Sequence, residues 1–600
     1  MRTSAPQSAF GIVFVPLAML LTLAVCAGCS SSDKPKAEPP PPRYANLGPR
    51  EKVPAFMKGT VYEVAEVTNK DPYPVYGYGL VVGLANTGDN NGTSQALRNF
   101  MVDEMVRHGF GSQDERLHDM KPELMIRDPR CAIVEVYGFL PPGARAGQPM
   151  DMLVRAAQGS QTKSLARGIL YRTDLFAGGL DSVRPVRRVN VYAKVQGPVF
   201  VNPTNVDPTT RPSALSSQRS GTVMNGGLVM ADRPLKMRVR TPQLSVSRSI
   251  EMVIDQRFAD NAAANTLDEG LVDVFVPQSF KGDWEHFIGV VTHLYLSRSP
   301  DLAAVKGKLL VAEAQQPNAP LLDISYCLEG LGPDVIPFVQ PLYTHASPEV
   351  AFAAARAAAF LGDAVAEEAL LETARSDGHA FQLNAVKVLG SLPGSTRIDR
   401  MMSELVSARN AMVRIEAYRV LADHGSPSII SHTVRDAFVV DRIASEGAPL
   451  VYATRMGVPR IAVFGRSVPV NMPIMFTAMQ GKFSISTSTD GKSVVLFDRT
   501  NDRGGGIQAQ MRPDLHELIY RLGGGSDDGF RFEYSDLVGI LQSLSSGRHI
   551  GASFVLQDLP AMQDAIEEAP PIVDPTGRPP VESPLGPGVD VPSLKTDKQP

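Results

Sequence analysis

Tyr76-Gly77-Tyr78-Gly79-Leu80-Val81-Val82-Gly83-Leu84, closed by Asn86-Thr87-Gly88-Asp89-Asn90-Asn91-Gly92, decides how the rest of the chain is read. The first part is an apolar strand. The second is so dense in turn-forming residues that the strand must end there. Thr93 or Ser94 can then cap a helix over about 95–108, with Leu97, Met101 and Met105 along one stripe. A strand, a tight turn and a helix in quick succession predict mixed structure.

The same grammar continues outward. Strand patterns are expected over 60–67, 131–136, 150–156, 165–171, 188–194 and 271–276. A helix is expected over 246–258, where Ile250, Ile254 and Phe258 fall in line. From 333 to about 431 the chain turns helical and Ala-rich, opening with an apolar helix over 334–342. Three segments there align about thirty residues apart: Arg356-Ala357-Ala358-Ala359-Phe360-Leu361-Gly362, Asn384-Ala385-Val386-Lys387-Val388-Leu389-Gly390 and Glu416-Ala417-Tyr418-Arg419-Val420-Leu421-Ala422. That period with paired helices reads as a short HEAT-like solenoid; an Ala-rich bundle without true repeats is the alternative. Beyond 435 the pattern returns to strand over 457–469, 474–486 and 492–499. Helices over 513–521 and 535–545 and a strand over 553–557 close it. The expected class is α+β, multi-domain, with mixed α/β domains and an inserted all-α solenoid.

The two ends are not fold. Arg2 precedes an apolar run over 10–25 that finishes in Cys26-Ala27-Gly28-Cys29-Ser30. Small residues just before a cysteine read as a lipoprotein signal over 1–29, with Cys29 the acylated residue. Acylation at Cys26 would put bulky Val25 beside the cut, and an ordinary secretory signal is the other alternative. Acyl chains on Cys29 would anchor the chain at about 0.8 kcal/mol per buried CH₂. Ser30, where an Asp would favour inner-membrane retention, points to the outer membrane. Residues 30–52, with their Pro39–Pro42 run, form a Pro-rich linker, and 563–600 a Pro-rich tail expected to be disordered.

Six hundred residues suggest three or four domains, and a net charge of −4 with scattered Lys and Arg excludes a nucleic-acid binder. Cys131 and Cys327 are the only cysteines of the body; export permits a disulfide between them, and two buried thiols fit equally well. No Gly-x-Ser-x-Gly elbow and no phosphate-binding lysine loop is present. The glycine turn over 88–92 lacks the Lys and the carboxylates that phosphate or calcium would need. His286 and His293 could share a helix face but have no third ligand at zinc spacing. Asp268-Glu269 and Asp527-Asp528 read as solvated turns. The chain is therefore expected not to be an enzyme and to hold no cofactor or metal.

The opening strand and turn, followed by Leu97-Arg98-Asn99, resemble the signature of the bacterial flagellar P-ring protein family. So do Gly138-Phe139-Leu140-Pro141-Pro142-Gly143-Ala144-Arg145-Ala146-Gly147-Gln148 with Asp151 after it, and Ser164-Leu165 with Gly168-Ile169-Leu170. Leu267-Asp268-Glu269-Gly270 leading to Val272-Asp273-Val274 is a weaker match. Ser535-Asp536-Leu537-Val538-Gly539-Ile540-Leu541 and Gly551-Ala552-Ser553-Phe554-Val555-Leu556 are similar to the family's closing helix and strand. The resemblance divides the body into a P-ring-like region over 53–325, HEAT-like repeats over 326–435 and a C-terminal α+β region over 436–562 that closes the P-ring-like part. The helical segment has no counterpart in the family, and family members usually carry a plain secretory signal.

The resemblance implies a structural subunit of the flagellar basal body. It would form a homo-oligomeric periplasmic ring around the distal rod, against peptidoglycan and beside the outer-membrane L-ring, acting as a bushing for the shaft. The helical segment would offer a surface to a further, unknown protein partner. Asn86, Thr87, Gly88, Asp89 and Asn99, with Arg145 and Gln148, are candidates for loops that touch the neighbouring subunit; purely structural turns are the alternative for the same residues. A lipid-anchored envelope scaffold built on a P-ring-like domain, outside any flagellum, is the alternative function.

Overall fold

The computed structural model describes residues 44–558 apart from 49, 90–91, 112–120, 178–189, 203–217, 259–262, 281, 298 and 501–505. The signal, Cys29, most of the linker and the tail lie outside the described residues, as do Asn90, Asn91 and the start of the strand expected at 188. Of a first unit, Met1–Ala45, only Tyr44 and Ala45 are described; everything below belongs to the unit from Asn46 onward.

The 60–67 segment is half helix and half strand. Val61–Val64 forms one helical turn, and β1 (Ala65–Thr68) follows. Val61 and Ala65 are buried four residues apart, so the apolar spacing serves a helical turn as well as a strand.

Six antiparallel strands then close into a barrel: β2 (Tyr73–Val82), β3 (Ala132–Leu140), β4 (Pro149–Ala156), β5 (Ile169–Ala177), β6 (Ala193–Phe200) and β7 (Ser220–Val229), in the spatial order β2-β3-β4-β7-β6-β5. Period two sorts the side chains. Val134 and Val136 of β3 point into the barrel beside Val75, Met152 and Val223, while Ile133 faces outward. Helix α1 (Gln95–Arg107) covers that outer face with Met101 and Met105, held at its start by Ser94 Oγ accepting from Leu97 N–H. The glycines of the opening strand have a mechanical reason. A Cβ on Gly77 would lie 2.5 Å from the Asp174 carbonyl oxygen, and one on Gly79 would lie 2.4 Å from Thr173 Oγ1. The β2–β5 register shifts between Tyr76 and Val81, so the glycines sit where the closing strand bulges inward. The strand expected at 165 begins only at Ile169. Leu165 is core, but Arg167 takes a left-handed φ of 63° and turns the chain.

Strands β8 (Leu235–Val239), β9 (Ala264–Thr266) and β10 (Leu271–Val274) join β1 in a second antiparallel sheet of order β1-β8-β10-β9. Helices α2 (Leu244–Arg257) and α3 (Trp284–His293) pack on it through Ile250, Ile254, Phe287 and Val291.

Two further helices, α4 (Leu302–Ala314) and α5 (Leu321–Leu331), precede the Ala-rich stretch. The single apolar helix expected over 334–342 is broken into one α-turn, Ile336–Val339, between two 3₁₀ turns. Pro337 and Pro341 lack the amide protons a continuous helix needs. Then come α6 (Pro348–Phe360), α7 (Ala364–Arg375), α8 (Gln382–Ser391), α9 (Thr396–Leu405) and α10 (Ala411–Asp423). The three aligned segments lie on α6, α8 and α10, and α7 and α9 pack beside them as a second layer. Ala357 and Ala358 are buried where helices approach, and a larger side chain would separate them.

The C-terminal part holds two sheets. The first is mixed, with β11 (Ile429–Val434), β12 (Phe438–Ile443), β13 (Leu450–Ala453), β14 (Arg460–Phe464) and β19 (Ser553–Leu556) in the order β11-β12-β14-β13-β19. The second is an antiparallel meander of β15 (Met475–Ala478), β16 (Phe483–Thr487), β17 (Val494–Asp498) and β18 (Ile507–Met511). The strand expected across 474–486 is thus a hairpin, turned by Gly481 at a φ of 81°. Helices α11 (Leu515–Leu522) and α12 (Tyr534–Ser546) cover the pair.

Candidate functional site

The turn after β2 is built around one carboxylate. Asp89 is 3% exposed, and its Oδ1 accepts from Gly92 N–H (2.8 Å) and Gln161 N–H (3.1 Å), its Oδ2 from Thr93 N–H (3.2 Å). Three charge-assisted bonds from backbone donors tie the turn to the 157–165 loop. Thr87 Oγ1 donates to the Ser164 carbonyl at 2.7 Å. Gly88 lies so close to β3 that a Cβ would approach the Cys131 carbonyl oxygen to 2.1 Å. Thr87, Gly88 and Asp89 therefore hold the barrel's own loops. Asn86, with a left-handed φ of 58°, and Asn99, on the exposed side of α1, present their side chains to solvent. Asn99 Oδ1 accepts from Gln95 Nε2 at 2.7 Å.

Arg145 and Gln148 belong to the β3–β4 loop at the other end of β3, about 25 Å along the strand at ~3.3 Å per residue. The structure does not bring the two loops together. Arg145 reaches the second sheet: its Nε and Nη2 each donate to the Val276 carbonyl at 3.3 Å, and its guanidinium lies over the Phe275 ring. Gly143, at a φ of 71°, leaves room that a Cβ would fill 2.4 Å from Val276 Cγ2. Gln148 Oε1 accepts from Arg145 N–H, and Ala146 N–H donates to Asp232 Oδ1 at 2.7 Å. This loop welds the barrel to the β1-β8-β10-β9 sheet.

A third junction was not picked out as a site from the sequence. Arg167 Nε donates to Asp536 Oδ2 at 2.9 Å, and Val201 N–H donates to Ser535 Oγ at 3.1 Å. Asp536 also accepts from Glu533 N–H and so caps α12 while it clamps the barrel. Asp151 accepts from Asn225 N–H (2.6 Å) and Gly457 N–H (3.0 Å). Burial raises both carboxyls above the ordinary carboxylate range, while the hydrogen bonds and, at Asp536, Arg167 pull the other way. The available signal was that Asp151 and Ser535-Asp536 sit in or beside the stretches of sequence on which the resemblance was read. Segments distant in sequence thus meet in space.

Cys131 and Cys327 are both free and buried, in separate cores. Burial pushes the Cys131 thiol up to about 11 and the Cys327 thiol up to about 12, so neither is a ready nucleophile. His286 and His293 share α3. His286 Nε2 meets Glu329 at 2.9 Å, and His293 Nδ1 meets the Gly289 carbonyl at 2.6 Å. Among the described residues no group of three metal-ligating side chains forms, and no helix is long and apolar enough to cross a membrane.

Residues 60–305 match the family model described as flagellar P-ring protein. The span runs from the start of the β1 segment through the barrel and second sheet into α4. The flagellar P-ring protein of Geobacter metallireducens is 30% identical over 226 residues, covering 36% of this chain and 56% of that protein. That of Geotalea uraniireducens is 28% identical over 236 residues (38% and 58%), and that of Thermotoga maritima 28% over 244 residues (38% and 64%). The chain thus spans a little over half the length of these relatives. Residues 306–558 lie outside the family match. Residues 60–305, the barrel and the sheet welded to it, are thus similar to the flagellar P-ring protein family.

Proposed function

We propose that the protein is a P-ring subunit of a flagellar basal body, a non-catalytic element that assembles head-to-tail in the periplasm around the distal rod, beside the outer-membrane ring and against peptidoglycan. The observation that carries this is the match from 60 to 305, which takes in both the Asp89 turn and the β3–β4 loop. A bushing needs stiff subunits, and internal carboxylate latches and loop welds of this kind supply stiffness. A ring closes only if one surface of each subunit meets a different surface of the next. Of the candidate contact residues, Asn86 and Asn99 have exposed side chains and serve that contact; Arg145 and Gln148 fix the angle between barrel and sheet on which closure depends. Cys29 carries the lipid that holds the ring at the outer membrane, and helices α6–α10, read as HEAT-like repeats, receive a further protein.

The test is purification of hook–basal bodies from cells with and without the gene. The protein is expected in the wild-type preparation, with swimming lost in the deletion. A second reading, a lipid-anchored scaffold outside the flagellum, is favoured by the region from 306 onward and by Cys29. Absence from hook–basal bodies with normal swimming of the deletion strain would establish it and end the first.

A further inference from the structure

Between α2, α3 and α5 on one side and α8 and α10 on the other lies a cavity of about 380 Å³, within the size range of small-molecule sites. Its lining carries Arg257, Lys387 and Arg419 together with the carboxylates Asp283, Glu329, Glu416 and Asp423. Glu329 is 2% exposed. Both its oxygens lie 2.9 Å from His286 Nε2, and Oε2 is 3.8 Å from Arg356 Nη1. Arg356 is otherwise engaged, donating to Ser325 Oγ at 2.9 Å and lying over the Tyr326 ring. Arg257 also lines the cavity, its Nε donating to the Glu329 carbonyl at 3.3 Å and its guanidinium lying over the Phe258 ring. Burial pulls the Arg257 guanidinium below its ordinary value, with Glu329 opposing. Among the described residues the other two nitrogens of its fork have no acceptor. Lys387, on α8, stands on the opposite wall without an ion-pair partner among the described residues, whereas Arg419 beside it is paired with Glu416 at 3.2 Å. Phe258, Phe280 and Phe360 supply an apolar lining, and Asp283 and Asp423 stand in the same lining as further carboxylates.

We propose that this cavity binds the free carboxyl end of a short peptide with an apolar last side chain. The carboxylate takes the open fork of Arg257, where paired N–H donors match its geometry. The last side chain lies among the phenylalanine rings, Lys387 adds charge from across the cavity, and the peptide's amino end is directed at Asp283 and Asp423. The site exists only where the P-ring-family region meets the helices outside the match, since Arg257 and His286 belong to the first and Glu329 and Lys387 to the second.

The experiment is calorimetric titration of the purified full chain with the dipeptide Ala-Phe, with Ala-Phe amide and inorganic phosphate as controls. Ala-Phe is expected to saturate one site and the amide to bind at least about tenfold more weakly, because one charge-assisted bond is worth about 1.5–3 kcal/mol and 1.4 kcal/mol is tenfold. Arg257→Gln should weaken Ala-Phe at least about tenfold with an unchanged unfolding midpoint. If that variant does not fold, Lys387→Glu, at an exposed position, is read instead and should also weaken binding. No saturable binding of Ala-Phe, equal binding of the amide, saturation by phosphate alone, or unaltered affinity in the variant that folds would overturn the proposal.

Discussion

One side chain shows how a surface-looking turn can be interior. Asn86-Thr87-Gly88-Asp89 reads as a polar loop, yet Asp89 is buried and accepts three backbone N–H bonds that join the β2 turn to the loop after β4. Removing a buried acceptor leaves its donors unsatisfied at about 1–3 kcal/mol each, less whatever water recovers. Asp89→Ala should therefore cost about 2–4 kcal/mol in urea denaturation, with Asp89→Asn between it and the parent. Asn86→Gly keeps the left-handed backbone and should leave stability within about 0.5 kcal/mol. A midpoint for Asp89→Ala equal to the parent's would show that the turn hangs free of the fold. Shortening the whole loop is accordingly a poor probe of ring contacts, because the monomer would be damaged first; Asn86 and Asn99 are the positions at which to change the surface alone.

At the scale of elements, the barrel is joined to α12 through Asp536 and to the β13–β14 turn through Asp151, two carboxyls whose protonation follows folding. Asp536 and Asp151 have folded pKa values above their unfolded ones because burial outweighs their partners. The folded chain then binds protons more tightly than the unfolded one. From about pH 4, the ordinary carboxyl value, up to the folded values, stability contributed by these groups falls as pH rises. Parallel urea titrations of the parent and of Asp151→Asn/Asp536→Asn across pH 4–7 should give a flatter pH dependence for the double variant. A slope unchanged by the two substitutions would mean that these carboxyls titrate alike in both states. At the same junction Arg167 and Val201 of the barrel side meet Asp536 and Ser535.

Over the whole molecule the helices are not an appendage. One core runs from Phe56 and Met57 through the α6–α10 layers to Ile443, Leu450, Tyr452 and Phe464 of the C-terminal sheet. At that seam Asp441, fully buried, accepts from Tyr418 Oη (2.5 Å), Ser431 Oγ (2.5 Å) and Arg460 Nη1 (2.8 Å), and Arg414 Nη2 donates to Ser445 Oγ at 3.1 Å. Deleting 333–431 would strip this face of its cover and leave Asp441 with Arg460 alone. Such a chain should fail to give soluble, cooperatively unfolding protein. Recovery of a folded monomer with a sharp thermal transition would show the helices to be an independent module.

The amino-acid sequence by itself determined the element types where one period dominates. Strand patterns marked β3 and β4, 3.6-residue spacing marked α1 and α2, and the three aligned segments fell on three corresponding helices. It also carried the family resemblance, because the Gly, Pro and Asp that make the turns are local demands on backbone conformation. It misread 60–67, 165–171, 334–342 and 474–486, where a second period, a left-handed Arg167, two prolines or a glycine turn competed with the leading pattern. Only the tertiary structure decided that the six strands close into a barrel, that Thr87, Gly88, Asp89 and Arg145 meet distant partners, and that Arg257 and Lys387 share a cavity. Those outcomes depend on contacts between residues tens to hundreds of positions apart, and no local spacing records which distant carbonyl or carboxylate a side chain will meet.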